Sequence, residues 1–288
     1  MERLNKITHI SQLLPEQLQE PVKFDEVELT PEETELAISS AKVQKHDMLE
    51  RQRKQRLSEV KRKKFSEDLS NPNNLYSLAR WRATQAIRMR TGDPTVEFEP
   101  TEFQKPVITA LSLYFSGKPE FEQLDTRLYN NQPTKFSLNK GIWMWGNPGV
   151  GKTLMMEMFN RNSRLCYEVI HCPKLAYEYV KQGDEAIERF GKIIPAIQSS
   201  TNFGQKVMGV CYNDLGVETV PSKHYGNPIN VLETITLQAY ENKVPYWHRF
   251  VTTNLVFDQV KEVYGLRFID RIKECFNIIE VRGESLRK

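Results

Sequence analysis

The chain has 288 residues, 39% of them apolar and 27% charged. That is enough to bury a sizeable core, and the modest apolar share leaves room for an exposed helical or flexible arm. Forty basic against 37 acidic side chains give a net charge of +3, which excludes a uniformly basic coat for nucleic acid but not a local basic patch. No run approaches the roughly eighteen apolar residues of a membrane span, and the start Met1-Glu2-Arg3-Leu4-Asn5 lacks the apolar stretch of a signal peptide. Cys166, Cys172, Cys211 and Cys275 show no C-x-x-C spacing. A zinc site or disulfide framework is therefore not expected, and free thiols without an export signal point to a reducing cytoplasm.

Charge reverses early in the chain. Residues 1–40 carry nine acids and three bases, whereas residues 41–64 carry ten bases and three acids. Thr30-Pro31-Glu32-Glu33 predicts a helix start, with Thr30 as cap, Pro31 at the first helical position and Glu33 completing a capping box. No Gly or Pro interrupts from there to Lys64, so one long polar helix is expected, too poor in apolar residues to form a core alone. Asn71-Pro72-Asn73-Asn74 is a turn, and a second helix should run from Leu75 to Arg90. Thr91-Gly92-Asp93-Pro94 ends it and sets the division: a helical arm of residues 1–94, then a domain of residues 95–288.

Beyond that point helix and strand signals alternate, the pattern of an α/β domain with a parallel sheet. Gly141–Trp145, Cys166–His171, Val207–Tyr212, Phe250–Thr253 and Ile278–Val281 read as buried strands. Thr153–Asn162, Pro173–Lys181, Asp184–Ile197, Ile229–Asn242, Phe257–Tyr264 and Leu266–Phe276 read as helices between them.

The strongest signal is Gly146-Asn147-Pro148-Gly149-Val150-Gly151-Lys152-Thr153, followed by Leu154, which fits the phosphate loop G-x-x-x-x-G-K-[ST]. It leaves an apolar strand and enters a helix, as the chemistry requires. Glycines let backbone N–H groups curl around a β-phosphate, and the helix start adds its positive dipole end. Lys152 brings a point charge to the β- and γ-phosphates of ATP, and Thr153 a hydroxyl to Mg²⁺. Asn213-Asp214, closing the strand after Val207, has the position of the acidic second element (Walker B). The first of its two acids is replaced by Asn213, which brings no charge, so looser Mg²⁺ and slow hydrolysis are expected. Asn254, ending Thr252-Thr253-Asn254, is placed to reach a γ-phosphate or a lytic water. Arg267 and Arg271 lie one turn apart on a helix, and Arg287 sits at the end of Gly283-Glu284-Ser285-Leu286-Arg287. On spacing alone each arginine reads better as a solvated surface charge. Trp143, Trp145, Tyr76 and Trp81 read as packing residues, and His224 and His248 stand alone.

The order GNPGVGKT, YNDLGVE, TTNL, YGLRFIDRI and GESLRK resembles the DnaC/IstB group of AAA+ ATPases, over about residues 100–288. The resemblance implies a P-loop NTPase with five parallel strands of the ASCE type, a reduced lid, ATP and Mg²⁺ as ligands, and nucleotide shared between subunits of a homo-oligomer. It implies the role of arginine finger for Arg271, with Arg267 also fitting, sensor one for Asn254 and sensor two for Arg287. Asp214 then polarises the attacking water, and Thr153, Asn213 and Asp214 attend the metal. As partners it implies single-stranded DNA and a replicative helicase or, alternatively, a transposase. A third reading, from Asn213, is a nucleotide-gated binding module with weak hydrolysis.

Overall fold

The computed structural model describes residues 28–130, 134–191, 201–202, 205–225 and 227–286. The acidic residues 1–27, the end of the helix expected to reach Ile197, and Arg287 lie outside the described residues. The chain divides into two compact units, residues 1–58 and 59–288.

Within the first unit the described residues belong to α1, Pro31–Leu69, which extends into the second unit. Its start is the expected capping box. The Thr30 hydroxyl accepts from the Glu33 N–H, and the Glu33 carboxylate accepts from the Thr30 N–H at 2.9 Å. From Pro31 to Leu49 every side chain is exposed, so this stretch buries no apolar face.

After the end of α1, the second unit continues with α2, Pro72–Thr91. Asn71 caps it by accepting from the Asn73 N–H, and Gly92 closes it in a left-handed conformation. Although the sequence reading set α2 with the arm, Leu75, Ala79 and Ala83 are buried in the same core cluster as the phosphate-loop helix. Next comes α3, Gln104–Phe115, a helix absent from the sequence reading. Eight of its twelve residues are buried, and Lys105, Pro106 and Thr109 form its exposed face.

The sheet is built from β1 (Gly141–Trp145), β2 (Cys166–His171), β4 (Gln205–Leu215), β7 (Arg249–Thr253) and β8 (Phe276–Glu280) in the order β2-β4-β7-β1-β8. All four pairings are parallel. A short β3, Thr201–Asn202, pairs antiparallel with β4. A hairpin of β5 (Ser222–His224) and β6 (Asn227–Ile229), also not foreseen, stands apart from the sheet. Helices cover both faces. On one side α2, α3 and α4 (Lys152–Phe159) pack on Ile142, Met144, Tyr167 and Phe250. On the other, α5 (Cys172–Gln182), α6 (Asp184–Gly191), α7 (Val231–Glu241), α8 (Phe257–Tyr264) and α9 (Leu266–Cys275) pack on Trp143, Ile170, Val210, Tyr212 and Val251. Alternate residues of one strand thus serve opposite cores, which is why each strand reads as a continuous apolar run. Of the four aromatics read as packing residues, Trp143 is fully buried and Trp145 and Tyr76 pack on the cores, but Trp81 is 59% exposed on α2.

His248, at the entrance to β7, is buried, and neither ring nitrogen has a hydrogen-bond partner among the described residues. Burial, and then the charges of Arg164 and Arg249, push it down from the ordinary 6.5 to about 4. The folded state therefore holds fewer protons than the unfolded one between those values. This contribution to stability is complete above pH 6.5 and is lost as pH falls toward 4. Thermal denaturation from pH 7.5 to 4.5 should show a smaller loss for His248→Phe than for the unsubstituted chain; equal losses would remove His248 as the cause.

Candidate nucleotide site

The loop between β1 and α4 owes its course to glycines. At Gly149, φ is +85° and a Cβ would meet Ser285 Oγ at 2.1 Å; at Gly146, φ is +151° and a Cβ would meet the Val281 carbonyl oxygen at 2.2 Å. Side chains at these two places would clash with the segment after β8, and L residues disfavour both angles. The C-terminal segment lies on the loop, with Leu286 N–H donating to the Gly149 carbonyl at 3.1 Å. That contact gives Gly283-Glu284-Ser285-Leu286 a place at the site. On the other flank Gln104 donates from Nε2 to the Val150 carbonyl at 2.9 Å.

A cavity of about 560 Å³ opens over the loop. Pro148, Gly149, Gly151, Lys152, Thr153 and Leu154 form its floor. Lys152 is only 4% exposed, and its ammonium donates to the carbonyls of Gly146 and Asn147 and, at 2.6 Å, to Asn254 Oδ1. Asn254 thus joins the loop lysine from the end of β7. Asn147 and Val150 take part through their carbonyls.

Asn213 and Asp214 close the far side. Between Tyr212 and Leu215 the register of β4 against β7 shifts in a bulge, and Asp214 takes a φ of +60°, a left-handed angle that Asp tolerates better than most residues. The bulge leaves Asn213 buried and sends Asp214 to line the cavity. Asn213 Oδ1 accepts from the hydroxyls of Thr153 at 2.8 Å and Thr252 at 2.7 Å; Thr252 Oγ1 in turn accepts from the Asp214 N–H. The Asn213 amide donates to Asp214 Oδ2 at 2.8 Å and faces His171 Nδ1 at 3.0 Å.

His171 and Gln104 are site residues that the motifs did not indicate, and Thr252, within the Thr252-Thr253-Asn254 motif, had no role of its own in it. Only the position of His171 at the end of a strand beside β4 could have suggested it. The remaining wall is equally unforeseen: Ile87 and Arg90 from α2, with Glu97, Phe98 and Glu99. Arg82, also on α2, donates to the carbonyls of Met158 and Arg161 at 2.9 and 2.7 Å, capping the far end of α4. Burial first, and then the neighbouring Arg161, push its guanidinium down to about 10. No sequence spacing links these residues to a loop some sixty positions downstream.

The two arginines of α9 are not among the cavity-lining residues. Arg271 is held within its own chain: Nη1 donates to Glu274 at 2.7 Å and the guanidinium lies 4.0 Å from the centre of the Tyr240 ring. The Tyr240 and Tyr246 hydroxyls donate to the other Glu274 oxygen. Arg267, one turn earlier, is exposed.

The loop, the buried lysine and the position of β7 between the strands bearing the loop and Asp214 decide the fold. The fold is that of a P-loop NTPase. The donor set suits a nucleoside triphosphate with a divalent cation: an ammonium for phosphate, then a hydroxyl and a carboxylate, oxygen ligands of the kind a hard ion takes. Among solved structures similar to this chain are the crystal structure of the DnaC helicase loader and that of DnaI. The first is 14% identical, with a TM-score of 0.42, over 64% of this chain and 94% of that one. The second is 18% identical, with a TM-score of 0.38, over 65% of this chain and 88% of that one. The assignment rests on strand order and loop and not on this likeness. No protein-family model and no curated protein matched the chain.

A second exposed feature lies at the β5–β6 hairpin. Tyr225, at its tip, is 96% exposed with a φ of +46°. His224 braces it, with ring centroids 4.5 Å apart, and meets the Val180 carbonyl on α5 through Nδ1 at 2.9 Å. On α5 the Lys181 ammonium sits 4.5 Å from the centre of the exposed Tyr177 ring. Lys174, Tyr177 and Lys181 share one helical face.

Proposed function

We propose that this chain is an ATP-binding AAA+ protein of the DnaC/IstB type, a slow ATPase. On this reading it assembles on single-stranded DNA through shared nucleotide sites and loads a replicative helicase. The observation that carries the reading is the convergence of Lys152, Asn254, Thr153 and Asp214, from three separate motifs, on one cavity. ATP bound there would have its phosphates at the loop amides and Lys152. Thr153 and Asp214 would hold Mg²⁺, which supplies neutralising charge for the terminal phosphate. Asp214 would orient water and Asn254 would sense the γ-phosphate. Arg287, at the end of the segment that crosses Gly149, would add a guanidinium. No helix among the described residues is long and apolar enough to cross a membrane, in keeping with work in the cytoplasm.

We assign DNA contact to the Tyr225 hairpin and the lysines of α5. An exposed ring offers a base a stacking surface worth about 1–3 kcal/mol, and lysines track the phosphates. Tyr225→Ala should weaken single-stranded DNA binding by about tenfold while leaving nucleotide affinity unchanged; anisotropy with a labelled oligonucleotide reads the first quantity and a labelled nucleotide the second. Equal DNA affinity would move the contact elsewhere, with the basic run 42–64 as the next surface to test.

Of the arm of residues 1–94, the part before α2 is assigned to partner choice, since α1 exposes a polar surface from Pro31 to Leu49 and carries none of the site residues. A pull-down of the full chain from its native cell, read by mass spectrometry, tests the loader reading. A hexameric helicase is the expected capture; a transposase would favour the transposition-helper reading.

A further inference from the structure

We infer that Tyr264 is a positioning residue for the proposed ATPase: its bond to Glu218 ties the wall of the nucleotide cavity to the helix that presents Arg267 to a neighbouring chain. The inference rests on the shared nucleotide site proposed above. After Asp214 the chain turns tightly, with the Val217 N–H donating to the Asp214 carbonyl at 3.2 Å. Asp214 and Val217 both line the cavity. Glu218 fastens the turn. Its Oε2 accepts from the Gly216 N–H at 2.7 Å, and its Oε1 accepts from the Tyr264 hydroxyl. Carboxylate and phenol are both buried. Burial, and then the charge of Glu218, push the Tyr264 hydroxyl above its ordinary 10, so it stays a proton donor. A carboxylate serves the two donors at once, one with each oxygen, whereas a glutamine, with one acceptor oxygen and an NH₂, could not.

Tyr264 is the last residue of α8, and Gly265 alone separates it from α9. The Gly265 N–H still donates to the Lys261 carbonyl of α8 at 2.9 Å, so little chain is free between the two helices. The Tyr264 ring also lies 5.1 Å, centre to centre, from that of Phe268, the buried neighbour of Arg267. Arg267 itself is exposed and does not line the cavity of its own chain. A second tie at this corner, from the Asn230 amide to the Val263 carbonyl at 3.3 Å, runs to the start of α7 and not to the cavity wall. A guanidinium that acts across a subunit boundary depends on how its helix is held, and a misplacement of about 1 Å can cost about a hundredfold in rate. The phenol–carboxylate bond sets the first turn of α9 relative to Asp214.

The test is steady-state ATP hydrolysis by full-length Tyr264→Phe, which keeps the ring and removes the hydroxyl, at a temperature where circular dichroism shows the chain folded. We expect kcat to fall about tenfold, while KM and the affinity for a labelled ATP analogue change by less than about twofold. Glu218→Gln, which keeps the volume, should give the same split. Mixing then locates the defect. With Lys152→Ala chains the rate should recover in part, since the loop half of Tyr264→Phe then meets an intact arginine half. With Arg267→Ala chains no recovery is expected, because neither kind of shared site is whole. Recovery with Arg267→Ala instead, no recovery with either, or an unchanged kcat would overturn the inference and spare the nucleotide site. If Lys152→Ala and Arg267→Ala chains restore no rate to each other, the shared site falls and the inference with it.

Discussion

Lys152→Ala is expected to lower ATP affinity by at least about tenfold, on the order of 1.4 kcal/mol. The buried ammonium is the positive group at the cavity floor, held between two loop carbonyls and Asn254 Oδ1. Removing it takes away the charge facing the phosphates and also leaves three acceptors without that donor. A loss of thermal stability is expected alongside, because buried acceptors without partners are costly. Calorimetric titration at a temperature where circular dichroism shows the variant folded separates the two effects. Unchanged affinity in the folded variant would refute the phosphate-loop assignment.

The second large effect is expected from Arg267→Ala. A guanidinium reaching a neighbour's γ-phosphate stabilises charge that develops in the transition state, and its loss costs on the order of a hundredfold or more in rate. Resemblance gives that role first to Arg271. In the structure, however, Glu274 and Tyr240 already occupy the Arg271 guanidinium, whereas Arg267 is exposed one turn away. We therefore expect Arg267→Ala to abolish most hydrolysis while ATP still binds. Arg271→Ala should mainly lower stability, by freeing Glu274 and the Tyr240 ring from the guanidinium. Mixing Arg267→Ala with Lys152→Ala chains should restore part of the rate, since one of the two kinds of shared site is then intact on both sides. Full activity in Arg267→Ala, with loss in Arg271→Ala and rescue by the same mixing, would return the role to Arg271.

The nucleotide loop and the sheet were legible because their physics is local. A phosphate loop needs glycines, a lysine and a hydroxyl within eight positions, and β1 and β2 fall on Gly141–Trp145 and Cys166–His171 as expected. The capping box at Thr30 is equally local. What could not be read depends on three-dimensional contact. The helix α3 exposes only a narrow face of Lys105, Pro106 and Thr109, too short a polar stripe to mark a helix among so many apolar residues. The fully buried residues of α2 are one leucine and two alanines, a slight signal by which to distinguish a packed helix from an arm. His171 gains its place only through the parallel pairing of β2 with β4, which sets it opposite Asn213. Asn213 itself was legible as a departure, but its bonds to Thr153, Thr252 and Asp214 were not. These bonds make the amide a hub that orients the neighbouring carboxylate.

On the proposed function, ATP bound at this loop joins copies of the chain on single-stranded DNA. Mass photometry of the full chain tests it most directly, comparing chain alone, with ATP, with an unstructured oligonucleotide, and with both. An assembly larger than one chain is expected when ATP and DNA are present together, and its loss in Lys152→Ala. A chain that binds ATP and stays monomeric in all four conditions would contradict it.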